Sequence, residues 1–306
     1  MTGSKSHKGT YSRIDLSRYI VLPVWNECNN NCTICMLSGL KQKMPPISFS
    51  NFRQLINDIV EDEKFENLIL SGAEVTTFDD LERYIRYANS TGWFKKIQIQ
   101  TNGRELCDKE YLKRIIDSGV NEFFISLHGR EAVHDEITRS KGSFIETIKG
   151  IHNLELFDVN VITNTVLTRF NYDEVVPLMV LVSQTSVSEM QLWNYFPMDK
   201  DDSNDFIVSM RDFCDLLPEL FSGISSSGKA VVLKSFPECL SIGEPGFFDS
   251  LHPATILPDF FWKTFDESNF GLCCHRGPCK SKTCWGLSST YIQKYGDERQ
   301  LLSPFI

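Results

Sequence analysis

Cys28, Cys32 and Cys35 stand together in the run Trp25-Asn26-Glu27-Cys28-Asn29-Asn30-Asn31-Cys32-Thr33-Ile34-Cys35. Three thiols within eight residues can turn onto one face of a compact loop. Asn29, Asn30 and Asn31 suit such a loop, because asparagine tolerates left-handed backbone angles and bonds to its own backbone. The chemistry on offer is metal binding. A cubane iron–sulfur cluster normally takes four cysteines, so three leave one iron with open coordination positions. A structural zinc site would be closed by a fourth ligand and usually shows paired C-x2-C spacing. The remaining alternative, cysteines buried as small hydrophobes, sits badly with the polar neighbours.

A second concentration lies far downstream, where Cys273, Cys274, Cys279 and Cys284 crowd a Gly-, Pro- and Lys-rich segment and Cys239 sits upstream of it. Six of the 10 cysteines lie beyond residue 210, in a stretch with too little apolar content to fold on burial alone. Metal binding would supply the missing organisation, since ligand binding there is folding free energy. The expected ligands are Cys239, Cys279, Cys284 and one of the adjacent pair, taken as Cys274, because neighbouring thiolates rarely both reach one metal. That leaves Cys273 as a spare thiol. A tetrahedral zinc site is the competing reading. Cys107 and Cys214 fall in or beside amphipathic helices and read as packing residues.

These loops need a scaffold. From about residue 18 to 195, β-rich runs alternate with segments of helical period, the pattern of βα units on a parallel sheet. Strands are expected at Tyr19–Pro23, Asn67–Ser71, Lys96–Thr101, Glu122–Leu127, Val159–Leu167 and Met190–Tyr195. Helices are expected at Phe49–Val60, Asp79–Asn89, Asp108–Ser118, Ser143–Leu156, Asn171–Val182 and Asp205–Phe221. The fold class is therefore α/β, a partial (β/α)6 TIM-like barrel with a small Cys-rich C-terminal extension, and reactive groups belong on the loops leaving the C-terminal strand ends. After the acidic stretch Asp199–Asp205 and that last helix, Ser222–Gly228 reads as a Ser/Gly linker. The expected divisions are a tail at 1–17, the barrel at 18–221, and the linker with the Cys-rich unit at 222–306.

The C-x3-C-x2-C spacing at the end of a first barrel strand resembles the radical S-adenosylmethionine superfamily. Three further stretches match its pattern at successive strand ends: Ser71-Gly72-Ala73-Glu74, Thr101-Asn102-Gly103 and Ser126-Leu127-His128-Gly129. The resemblance covers about residues 18–195. Ile34 stands where an aromatic is commoner, and Ser71 and Ala73 replace the usual neighbours of the Glu74 element; no ligand is lost. The resemblance implies that Cys28, Cys32 and Cys35 hold a [4Fe–4S] cluster whose open iron binds S-adenosylmethionine. Electron transfer would then cleave that cofactor to a 5′-deoxyadenosyl radical. It also implies cofactor contacts at Gly72, Glu74, Asn102, Ser126 and His128, with Glu74 accepting from the methionine ammonium. Asn164 and Asn194, polar residues inside otherwise apolar strands, either join this set or are hydrogen-bonded core asparagines. The C-terminal segment is similar to twitch or SPASM-like extensions, which hold an auxiliary [4Fe–4S] cluster. A thiol near the radical is a competent hydrogen-atom donor, so Cys214 and Cys273 are the catalytic candidates.

Composition bounds the remaining options. The 306 residues carry 40 acidic and 31 basic side chains, a formal charge of −9, which gives no broad footprint for a polyphosphate backbone. No apolar run reaches the roughly 18 residues of a membrane span, and the first residues lack a signal-peptide core. A cytoplasmic protein is expected, with neither nucleic acid nor membrane as its partner. The expected reaction is hydrogen abstraction from a substrate carbon, leading to epimerisation if a thiol returns a hydrogen, or to oxidation or crosslinking if the auxiliary cluster takes the electron. About 17 residues precede the first strand, too few for a fused leader-binding domain. A small polar metabolite, sugar or aminoglycoside-like, is thus the expected substrate. The alternatives are a short or ribosomal peptide modified by a maturase, and a non-catalytic iron–sulfur or zinc sensor. An electron donor such as flavodoxin or ferredoxin would complete the system.

Overall fold

The computed structural model describes residues 14–198, 201–225, 227–240 and 248–305. Most of the expected tail (1–13), positions 199–200 of the acidic stretch and position 226 of the linker lie outside the described residues. Nine parallel strands form one sheet: β1 (Tyr19–Trp25), β2 (Asn67–Gly72), β3 (Lys96–Thr101), β4 (Glu122–Ser126), β5 (Asn160–Leu167), β6 (Glu189–Asn194), β7 (Ala230–Lys234), β8 (Phe248–Asp249) and β9 (Ala254–Thr255). The spatial order is β8-β7-β6-β5-β4-β3-β2-β1-β9, so the first seven run in simple succession. This is the curled α/β half-barrel expected, with three further short strands from beyond the Ser/Gly linker added to the same sheet.

Helices α1 (Phe49–Asp62), α2 (Leu81–Ser90), α3 (Lys109–Ser118), α4 (Glu131–Thr138), α5 (Ser143–Leu154), α6 (Tyr172–Ser183) and α7 (Met210–Ile224) connect the strands; α8 (Asp259–Asp266) and α9 (Ser289–Tyr295) follow. Their ends obey local chemistry. The Ser48 side chain accepts from Asn51 N to start α1, which buries Phe52, Ile56 and Ile59 at helical spacing. Asp108 caps α3 in the same way, and the left-handed Gly119 ends it. Helix α7 begins five residues later than its acidic approach suggests. Asp202 draws the backbone N–H groups of Phe206 and Ile207 onto its carboxylate, Asp205 is left-handed, and Ser209 is the true cap.

The two sheet faces have different jobs. Leu22, Leu70, Ile99, Ile125 and Leu192 point outward and merge with the helices into the main core. The opposite phase points inward, where Tyr19, Val21 and Ile69 form a small separate cluster. Beside it Glu122, only 1% exposed, accepts from Gln98 Nε2 at 2.8 Å, Asn160 Nδ2 at 2.7 Å and Tyr19 Oη at 3.2 Å. This network satisfies the buried carboxylate at the start of β4. Strands β8 and β9 sit at opposite sheet edges, yet only residues 250–253 separate them. Lys234 fastens the start of that crossing by donating to Asp249 Oδ2 at 3.0 Å and to the Leu251 carbonyl at 2.6 Å.

Candidate active site

A cavity of about 560 Å3 opens at the C-terminal end of the strands. Pro23, Gly72, Gln100, Gln191, Trp193 and Lys234 bring β1, β2, β3, β6 and β7 into its wall. Cys28, Cys32 and Cys35 all line it from the loop after β1.

That loop is held from two sides. Asn31 N and Thr33 N donate to the carbonyls of Thr138 and Ile137, which close the open C-terminal turn of α4. From the β3 side, Asn102 Nδ2 donates to Asn29 Oδ1 at 2.6 Å, and Asn29 Nδ2 donates to Glu105. Arg104 Nη1 donates to the Asn29 carbonyl at 2.6 Å and Asn30 Oδ1 at 2.7 Å, while its Nε pairs with Glu146. Gly72 has φ of +142°, and a Cβ there would meet the Trp25 carbonyl oxygen at 2.1 Å, so only glycine lets β1 and β2 close up beside the cysteines.

Glu74 is 1% exposed and lies behind the cavity wall. It receives Thr76 N, Thr76 Oγ1, Thr101 Oγ1 and Asn102 N, the last three at 2.6 Å, and so ties β2 to the end of β3. Burial outweighs these donors and pushes its pKa up. His128 is buried against His134: the His128 N–H donates to His134 Nδ1, and burial drives the two imidazole pKa values down to about 3 and about 4. Ser126 and Asn164 are register neighbours on the inward face, with Gln191 beside Asn164, and Asn164 Oδ1 is buried without a partner among the described residues. Asn194 Nδ2 donates to the Ser235 carbonyl. Of the residues named from sequence, Cys28, Cys32, Cys35 and Gly72 line the cavity; Glu74, Asn102, Ser126, His128, Asn164 and Asn194 do not.

The C-terminal cysteines are assembled by short polar links. Glu238, beside Cys239, accepts from Ser281 and Thr283, and Ser281 in turn accepts from Cys284 N. An antiparallel bridge between Leu272 and Leu287 brings Cys273 alongside the Cys284 end of the loop. Burial, with Cys284 and Cys273 nearby, pushes the Cys239 pKa up to about 11. Cys273 also lies within electrostatic reach of Cys279, whereas Cys274 is exposed beside Arg299. All described cysteines are free thiols. Cys214 sits on α7 and, like Cys273, packs on the main core; neither lines the cavity.

The donor set at the first loop fits an iron–sulfur cluster. Three soft thiols face one cavity, and Asn30 Nδ2 is buried there without a protein acceptor among the described residues. Burial, with Cys35 and Cys28 adding to it, holds the Cys32 thiol up to about 12, a cost that a bound cation removes. Among the described residues no three His, Cys, Asp or Glu side chains are drawn into coordination geometry.

Residues 22–182 match the Radical SAM superfamily. The chain belongs to the radical SAM superfamily. As a member it works with a [4Fe–4S] cluster and S-adenosylmethionine, and its Cys-rich C-terminal region is consistent with an auxiliary cluster. Among curated relatives it is 26% identical over 190 residues to the AdoMet-dependent heme synthase of Methanosarcina barkeri, covering 61% of this chain and 52% of that one. It is 22% identical over 233 residues to the mycofactocin maturase MftC of Mycolicibacterium smegmatis, covering 74% and 56%. The chain thus spans about half the length of these relatives. In fold it is similar to SuiB of Streptococcus suis bound to the precursor peptide SuiA, with a TM-score of 0.59 at 14% identity over 82% of this chain and 51% of that one. No helix among the described residues is long and apolar enough to cross a membrane.

Sequence reasoning missed the residues that hold and face the cysteines: Arg104, and a cavity wall of Trp193, Phe196, His252, Phe265 and Trp285. One signal was present. Lys96-Ile97-Gln98-Ile99-Gln100 alternates strictly, which marks a strand with one polar, inward face.

Proposed function

We propose that this radical SAM enzyme abstracts hydrogen from a carbon of an organic substrate held in the cavity beside Cys28, Cys32 and Cys35. The observation that carries the reading is the opening of all three thiols onto one cavity at the strand ends. These cysteines would hold the cluster, with Asn30 and Gly72 flanking the cofactor. The bound pair supplies a 5′-deoxyadenosyl radical when an electron donor of the flavodoxin or ferredoxin class reduces it. The chain contributes the rest: the loop anchored by Arg104 and Asn102, a backbone kept close by Gly72, and a largely apolar wall that excludes water.

A second cluster is assigned to Cys239, Cys279, Cys284 and one of Cys273 and Cys274; the position of Cys273 near Cys239, Cys279 and Cys284 favours it as the fourth ligand. Neither candidate hydrogen donor lines the cavity, which favours oxidation or crosslinking over thiol-quenched epimerisation. The aromatic lining favours a peptide side chain over a small polar metabolite, and the likeness to a maturase and to a peptide-bound structure supports that choice. Anaerobic reconstitution followed by dithionite and S-adenosylmethionine tests the reading. Release of 5′-deoxyadenosine is expected; an intact, reduced cluster that releases none would leave a non-catalytic sensor instead. A variant with Cys28, Cys32 and Cys35 all changed to Ala should retain about four irons. Zinc in their place would remove the auxiliary cluster from the reading.

A further inference from the structure

We propose that Trp193, Phe196, His252, Phe265 and Trp285 form a subsite for an aromatic side chain of the substrate, a phenyl, phenol or indole ring carried on a peptide. The proposal rests on the reading of this cavity as the place where the substrate carbon is presented. The five rings are one connected surface. His252 lies 4.3 Å from Trp285 and 5.1 Å from Trp193, centroid to centroid; Trp285 in turn meets Phe265 at 5.6 Å and Phe196 at 6.2 Å. All five line the cavity.

The chain treats these rings differently from those it uses for stability. Phe213 and Phe236 stack at 3.8 Å, both essentially inaccessible in the core. Trp193, Phe196, Phe265 and Trp285 are instead only half-buried, and the rim beyond them exposes Trp262 at 38% and Met36 at 39%. Large rings left open together around one concavity mark a binding surface more than a core.

Three of the polar groups in this wall are already engaged. Trp193 Nε1 donates to Gln191 Oε1 at 2.9 Å, His252 Nε2 meets Ser235 Oγ at 3.1 Å, and Lys234 is tied to Asp249 and the Leu251 carbonyl. Burial first, and Lys234 second, hold the His252 pKa down to about 3, so the imidazole is a neutral flat ring. A sugar stacked on these rings by its C–H face would still need polar partners for its equatorial hydroxyls, whereas an aromatic side chain makes the offset and edge contacts that ring clusters favour with no such need.

The test uses reconstituted enzyme without reductant, so that binding is read apart from turnover. Saturation-transfer NMR compares the acetylated amides of phenylalanine, tyrosine, leucine and lysine. Binding of the aromatic amides about tenfold tighter than leucine amide is expected. That margin should disappear in Phe265→Leu and in His252→Leu, two separate replacements that leave every cysteine in place. Equal binding of leucine amide, preferential binding of lysine amide, or no binding of any probe up to its solubility would overturn the proposal. Release of 5′-deoxyadenosine without the aromatic preference would sink the subsite alone. The preference without that release would sink the catalytic reading alone.

Discussion

Replacing Arg104 with methionine keeps the apolar stem and removes the guanidinium that bridges β3 to the first cysteine loop. Its Nη1 makes two charge-assisted hydrogen bonds, to the Asn29 carbonyl at 2.6 Å and Asn30 Oδ1 at 2.7 Å. Such bonds contribute about 1.5 to 3 kcal/mol each, and because one nitrogen serves both, a combined loss of about 3 kcal/mol is reasonable. The Glu146 pair adds less than about 1 kcal/mol, because that carboxylate is 43% exposed and screened by solvent. The loss falls on the loop between Cys28 and Cys32 and leaves the main core untouched. An opening made easier by about 3 kcal/mol is populated roughly a hundredfold more often. Hydrogen exchange over residues 27–35, and chelator-driven iron loss from the reconstituted protein, should accelerate by about that factor. Global unfolding by denaturant should move much less. Arg104→Lys should recover part of the effect, since an ammonium restores charge without the planar fork. Unchanged exchange and iron loss in Arg104→Met would refute the assignment of Arg104 as a positioning residue for the cysteine loop.

Other substitutions probe neighbouring joints. Gly72→Ala drives a methyl into the Trp25 carbonyl oxygen at 2.1 Å, so separation of the β1 and β2 ends is expected, seen as lost iron retention and a stability loss of at least about 2 kcal/mol in urea titration. Glu74→Gln sets an amide N–H against donors from Thr76, Thr101 or Asn102; a cost of about 2 to 4 kcal/mol is expected, and wild-type stability would contradict the network described. Acid should weaken the cluster-free fold before its carboxylates titrate. His128, His134 and His252 are held at about 3, 4 and 3, below the ordinary 6.5, so the unfolded chain binds protons that the folded chain refuses. Their stabilising contribution is full above the unfolded value and is lost as pH falls from 6.5 towards about 3, at up to roughly 4 kcal/mol per pH unit for three sites. Denaturation midpoints that stay flat between pH 7 and about 5 would argue against buried neutral histidines.

The scaffold was legible because its signals are local. Six strands and most helices announce themselves by apolar period and by caps such as Ser48 and Asp108, and all lie within a few residues of their expected positions. The short helix α4 was not, since Glu131–Thr138 is only eight residues long and its role, offering carbonyls to the cysteine loop, depends on a partner about a hundred residues away. The cysteines were legible for the same local reason as the strands. Arg104 and the aromatic wall were not, because their meaning arises only when segments around 30, 104, 193, 252 and 285 meet, and no spacing encodes that. Glu74 is a different case: a motif marks the residue, while the geometry gives its carboxylate four donors from the chain itself.

The crossing at residues 250–253 has a further consequence. An incomplete barrel has a side door, a seam where the first and last strands fail to meet and through which a bulky molecule can slip sideways. Here one continuous run of backbone, stitched to β7 at its start and to β1 at its finish, spans that seam. Five peptide steps stretch no more than roughly 17 Å, so the doorway is narrow and barred. The cavity is left open at the C-terminal strand ends, between the cysteine loop and the exposed rings.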